Sequence, residues 1–147
     1  MTGYIYSLGC RLIRNASWLQ ATVLLVVRLW IAEIFFMSGL TKIKSWTTTI
    51  TLFEDEYKVP LLSAEFAAYI ATFAELVLPA LLVLGLMTPL SALGLIGMTL
   101  IIEIFVYPDT TEHYYWLLLL SVLFSYGGGK FGLDYWLIKR FKKCPVV

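Results

Sequence analysis

The chain has 147 residues, of which 60% are hydrophobic and 14% charged, with a net charge of +1 and a mean hydropathy of +0.82. Soluble domains run near roughly 25% charged, so too few polar positions remain to make the wet faces of a soluble bundle. The near-neutral balance gives no nucleic-acid or acidic partner, and the length is that of one domain.

Residues 4–18 read as a short amphipathic helix on the membrane surface, with Arg11, Arg14 and the interfacial anchor Trp18. They resemble a signal peptide only superficially, because the apolar run that follows is long enough to span a bilayer. That run, residues 21–41, is the first expected span, and Lys42 and Lys44 follow it. Pro60 and Ser63 precede the second span, residues 66–86. "GLMTPL", residues 85–90, is a very tight turn into the third span, residues 89–107. "YPDTTEH", residues 107–113, breaks at Pro108 and leads to the fourth span, which reaches adequate length only if it begins near residue 110 and runs to 127. "GGGK" closes it, as glycine commonly does at helix C-termini. Residues 133–143, "LDYWLIKRFKK", repeat the amphipathic surface logic, with Trp136, Leu137 and Phe141 toward acyl chains and Lys139, Arg140, Lys142 and Lys143 toward phosphates. The expected architecture is all-α: an integral membrane four-helix bundle with short amphipathic surface helices at both ends.

Lys and Arg set the orientation. Both terminal flanks are basic, the loop between the first two spans offsets Lys42, Lys44 and Lys58 with Glu54, Asp55 and Glu56, and the loop between the last two has no Lys or Arg. Both termini are therefore expected in the cytoplasm, in a multi-pass protein of a bacterial inner membrane. Cys10 and Cys144 then lie on the reducing side, belong to no CxxC, and read as dispensable thiols.

The charges inside the apolar runs are the candidate site. Counted from the cytoplasmic face at about 1.5 Å per residue, Arg28 comes out roughly 12 Å deep, Glu75 near 16 Å, Glu33 near 19 Å and Glu103 near 22 Å. A lone charge at such depth is costly, and intramembrane ionisable residues mark functional sites. The depths pair Arg28 with Glu75 as the floor of a polar pocket lined above by Glu33, Glu103 and Lys42. By helical angle, Glu33 turns toward Glu103. The bland alternative is that these groups only hold the bundle together.

At the outer rim, Asp109, Glu112 and His113 form a D-x-x-E-H cluster beside Trp116. One histidine beside carboxylates reads as a hydrogen-bonding group, and no metal is assigned. A single histidine cannot make a bis-His haem site, and Met37, Met87 and Met98 read as packing. Aromatic residues crowd the outer half, among them Trp30, Phe35, Phe36, Phe73, Phe105 and Tyr107. They make an interfacial belt or, more sharply, a flat apolar slot for a quinone head group. In that slot Arg28 or Lys42 would hold a carbonyl oxygen and Glu33 or Glu75 would handle a proton.

"RLWIAEIFFMSGLTKI", residues 28–43, resembles the first helix of the DoxX family of small bacterial membrane proteins, matching at Arg28, Phe36, Gly39 and Lys42, with Ala32 where glycine is usual. "FAELVLPALLVLGLMTPLSALGL", residues 73–95, is similar to the family's second helix and turn, at Glu75, Gly85, Thr88 and Pro89. His113, Trp116, Gly132 and Asp134 fall on matched positions of "YPDTTEHYYWLLLL" and "GGGKFGLDYWL". The resemblance covers residues 20–138 and implies a four-helix membrane bundle. It also implies a link to redox systems, since relatives are associated with a thiosulfate:quinone oxidoreductase, with oxidative-stress complexes and with multinuclear-iron peptide-modifying enzymes. Two readings follow. One is a redox membrane subunit that meets a quinone and a cofactor-bearing partner. The other is a non-catalytic anchor or assembly factor, alone or as a homo-oligomer.

Overall fold

The computed structural model describes residues 2–57 and 62–141, with side chains from residue 16 onward. Among the described residues every regular element is helical. Helix α1 is Thr2–Lys44 and α2 is Trp46–Leu52, followed by a π-helical turn, Phe53–Tyr57. Then come α3 (Ala64–Leu84), α4 (Thr88–Ile101) with a second π-helical turn (Ile102–Val106), α5 (Thr111–Tyr126), a 3-10 turn (Gly129–Phe131) and α6 (Leu133–Phe141).

Three stretches are long and apolar enough to cross a membrane: Ala16–Lys44, Ala64–Leu84 and Thr88–Val106. At 16 residues α5 is shorter than these. It packs along α4 and also meets α1, while α3 packs against both α1 and α4. The shared core is aliphatic, with Leu24, Ile31, Leu82, Leu95, Leu120 and Leu123 at its centre. A smaller cluster of Phe53, Ala67 and Ala68, flanked by Trp46 and Tyr57, seats the α2 segment on α3.

Two expectations change here. No break separates a surface helix from the first span, because α1 is continuous and nothing in residues 15–25 is a helix breaker. The segment after Lys44 is helical and π-helical rather than a plain loop, because its apolar residues find a seat on α3. At the other end α6 occupies most of the expected surface helix. Lys142, Lys143, Cys144, Lys58 and Pro60 lie outside the described residues, as do the side chains of Cys10, Arg11 and Arg14.

The tight turn between α3 and α4 has a clear local cause. Gly85 sits at φ 64, where glycine alone carries no Cβ penalty. Gly85 N–H donates to Leu82 O and Leu86 N–H to Leu81 O, both at 3.0 Å, closing a Schellman pair. Helix α4 then starts with Pro89 in its first turn. Its open N–H groups are met by Asp134 of α6, whose carboxylate accepts from Met87 N at 2.9 Å and Thr88 N at 3.0 Å. Residue 134 thereby caps a helix 46 positions earlier in the chain.

Candidate functional site

The bundle holds two separate polar centres. The first surrounds Arg28, which is 1% exposed. Its Nη1 donates to the carbonyl of Gly128 at 2.8 Å. Three glycines leave the room it needs: a Cβ on Gly128 would lie 2.8 Å from Nη1 and one on Gly132 3.0 Å, and one on Gly85 would overlap it. The charge of Asp134 acts on the guanidinium through space. Arg28 thus ties α1 to the α3–α4 turn and to the segment after α5. It does not pair with Glu75.

The reason is one of register. Arg28 lies level with Gly85, where the α3–α4 turn closes the bundle. Depth therefore has to be counted from Arg28 on α1, and not from residue 21. On that count Glu75 is roughly 15 Å up α3 and the Cα of Lys42 roughly 21 Å up α1, a gap that a lysine stem can bridge.

Accordingly, the second centre is built on Lys42 and Glu75. The ammonium donates to both carboxylate oxygens, at 2.7 and 2.8 Å, and to Ser38 Oγ at 2.9 Å. The side chain of Glu75 is 3% exposed and that of Lys42 16%. Ser38 and Lys42 are one helical turn apart, so both reach the same point on α3. Gly39 allows the approach, since a Cβ there would stand 3.1 Å from Glu75 Cβ and 3.0 Å from Leu76. Pro79 on α3 has no N–H for the Glu75 carbonyl, which loosens the helix beside the ion pair.

Lys42 and Glu75 open onto a cavity of about 520 Å³ between α1, α3, α4 and α5. Most of its wall is aliphatic or aromatic, including Phe35, Phe53, Met98 and Trp116. Ala71 and Ala74 of α3 and Gly94 and Gly97 of α4 are the small residues of this wall. A Cβ on Gly97 would meet nothing within 4 Å. At one end the two π-helical turns are linked: Tyr57 and Tyr107 meet edge to face at 6.0 Å, and Tyr107 donates to Glu56 at 2.5 Å. That bond to Glu56 holds the Tyr107 phenol far above its usual range.

His113 enters the cavity wall from α5. It is 5% exposed, lies tilted against Trp116 with ring centroids 5.0 Å apart, and sets Nδ1 2.6 Å from Glu103 Oε2. The other oxygen of Glu103 accepts Asp109 N–H at 2.8 Å. A carboxylate filled on both oxygens suits Nδ1–H donation, leaving Nε2 as the ring nitrogen available to the cavity.

Of the sequence candidates, Lys42, Glu75, His113 and Trp116 line this cavity, and Glu103 stands behind His113. Arg28 belongs to the other centre. Glu33 is exposed on the outside of α1 and does not turn toward Glu103. Asp109 and Glu112 are exposed, and no three His, Cys, Asp or Glu side chains gather as a metal site among the described residues. Tyr107, one of the aromatics expected in the slot, lines the cavity, whereas Ser38 and Gly97 carry no sequence signal strong enough to single them out. Only the one-turn spacing of Ser38 and Lys42 pointed that way.

The family model described as DoxX matches residues 23–108. An uncharacterized protein of Haemophilus influenzae is 32% identical, with 76% of this chain and 80% of that relative covered. No solved structure matches. The chain belongs to the DoxX family.

Proposed function

We propose that this DoxX-family chain is a four-span inner-membrane protein that takes the head group of a quinone or quinol into the cavity between α1, α3, α4 and α5. In this reading it is the membrane subunit of a redox system whose electron carrier sits on a partner protein. One observation carries the reading: a cavity of about 520 Å³, largely apolar, meets a few placed polar groups, Lys42, Glu75 and His113 among them. Size and character match a site for a flat, mostly apolar ligand with polar ends. The bound group would supply reversible two-electron carrier chemistry. The chain's own residues would orient it and handle its protons. Nε2 of His113 would take up the proton that a quinol hydroxyl releases, with Glu103 holding the ring through Nδ1. The Lys42–Glu75 pair offers a charged contact for a carbonyl oxygen.

Gly97, exposed on α4, lining the cavity and with open space around it, supports entry from the acyl-chain region. Gly97→Leu should fold, because nothing stands within 4 Å of its Cβ. It should cut the quinone that co-purifies with the protein by about tenfold, the effect of a lost contact worth about 1.4 kcal/mol. Mass spectrometry of solvent extracts from wild type and variant checks this. Wild-type protein that carries no quinone when purified from quinone-replete membranes sinks the reading.

A second reading, a membrane anchor with structural charges, draws on a different observation. The ammonium of Lys42 already has three acceptors in Ser38 and the two oxygens of Glu75. Absence of any extracted ligand would favour it.

The topology proposed here makes α5 the fourth span and puts both termini in the cytoplasm, on the strength of the basic terminal flanks. A periplasm-active reporter should work when fused near Asp55 and stay silent after Val147. Activity after Val147 would reverse the orientation.

A further inference from the structure

We propose that Glu56, Tyr57 and Tyr107 form a latch over the aqueous mouth of the cavity, so that water and charged solutes reach Lys42, Glu75 and His113 only when the latch opens. The mouth lies where the membrane ends. At the rise of a helix, Tyr107 stands roughly 28 Å along the axis from Thr88, about the thickness of a hydrocarbon core. Glu54, Asp55, Glu56 and Asp109 are all exposed at this end of the bundle. Carboxylates gather in this way in water and not among acyl chains.

Both halves of the latch sit on π-helical turns, Phe53–Tyr57 on one side and Ile102–Val106, just before Tyr107, on the other. Such turns are rare and occur frequently at functional sites. Phe53, Tyr57, Val106 and Tyr107 all line the cavity. Phe53 is the fixed seat, 6% exposed and packed with Ala67 and Ala68. Beyond it the hold is slight. Tyr57 meets Phe53 edge to face at 4.9 Å and Tyr107 at 6.0 Å. The Tyr107 hydroxyl donates to Glu56 at 2.5 Å, and both side chains are exposed. Opening breaks one hydrogen bond and one ring contact while Phe53 keeps its place, which is a local event that leaves the bundle intact.

The side of the cavity at Gly97 opens toward acyl chains, where a charged solute cannot travel. The latched mouth is then the route from water. Closed, it keeps water from the Lys42–Glu75 pair, whose attraction is strongest when dry. The latch depends on the cavity alone and stands whether or not a quinone binds.

Thiol labelling in lipid nanodiscs tests it, in a background with Cys10 and Cys144 changed to serine. Ala71→Cys places a thiol in the cavity wall, and a membrane-impermeant quaternary-ammonium methanethiosulfonate reads its access to water by intact mass. Adding Tyr107→Phe keeps the ring and removes the bond. It should raise the labelling rate about tenfold, the effect of one hydrogen bond to a charged group at a surface. Glu56→Ala should do the same. Glu112→Cys, exposed in the first turn of α5, should label fast with or without Tyr107→Phe. N-ethylmaleimide, neutral and lipid-soluble, should label Ala71→Cys at one rate in both backgrounds. Equal rates for the charged reagent with and without Tyr107→Phe would overturn the latch. So would a Tyr107-containing Ala71→Cys protein that labels as fast as Glu112→Cys. An equal rise with N-ethylmaleimide would show a general loosening of the bundle and overturn it as well.

Discussion

Glu75→Gln should destabilise the purified protein by about 3–5 kcal/mol, because it leaves the Lys42 ammonium in an apolar wall with its counter-charge gone. The carboxylate it removes is 3% exposed and holds Lys42 at 2.7 and 2.8 Å. Lys42→Met should cost a similar amount, since it strands that carboxylate instead. The double variant, Lys42→Met with Glu75→Met, should recover much of the loss, because two apolar side chains of similar volume leave no unpaired charge behind. With Glu75→Met as the matching single variant, unfolding midpoints of wild type, Lys42→Met, Glu75→Met and the double variant in one detergent close the cycle. Strictly additive losses would show that the two side chains do not act as a pair. The same double variant separates the two functional readings. As a quinone site it should fold and come out of the membrane without quinone. As structural glue it should fold, match wild type in function, and show no change in extracted ligand.

Gly128→Ala should cost about 1–3 kcal/mol, the range for overfilling a packed interior. Backbone conformation is not the reason, since Gly128 has φ −74 and ψ −7, which alanine adopts freely. The reason is space: the new Cβ would stand 2.8 Å from Arg28 Nη1 and 2.8 Å from Thr88 Oγ1. In an Arg28→Ala background the same change should cost less, because one of its two obstacles has gone. Gly85→Ala makes the contrast. Its φ of 64 and the clash of the new Cβ with the Gly132 Cα keep a penalty in both backgrounds, so removing Arg28 should relieve only the collision with Nη1. Thermal midpoints of these six proteins decide the matter. Equal costs for Gly128→Ala with and without Arg28 would show that the glycines do not make room for the guanidinium.

Much of this organisation is legible in the sequence. Apolar runs of adequate length stand in the sequence, and three of them are the long helices of the structure. The turn at residues 85–90 announced itself through Gly85, Pro89 and the brevity of the link. Lys42, Glu75, His113 and Trp116 were legible as candidates because a charged or polar side chain in an apolar run needs a partner. Their partners were another matter. Depth alone pairs Arg28 with Glu75, and depth depends on where each helix enters the bundle. Helix α1 runs well past the α3–α4 turn, so an origin at residue 21 shifted its whole scale by roughly 10 Å. Lysine then hid its partner further, because its flexible stem delivers the charge a helical turn away from its Cα.

Helical period, hydropathy and turn chemistry act over neighbours a few positions apart, and these the chain determines by itself: membrane residence, the long apolar helices, the glycine-closed turns and the set of buried charges. Which face of α1 meets the bundle was decided only by packing, and with it the fate of Glu33, which the fold leaves on the outside. The capping of α4 by Asp134 and the seating of Arg28 among Gly85, Gly128 and Gly132 depend likewise on segments far apart in sequence. So does the closing of His113 onto Glu103 across the loop between α4 and α5. Each of these follows from how far one helix slides and turns against the next. No local pattern encodes that displacement; it is set by the joint packing of α1, α3, α4 and α5 around one core.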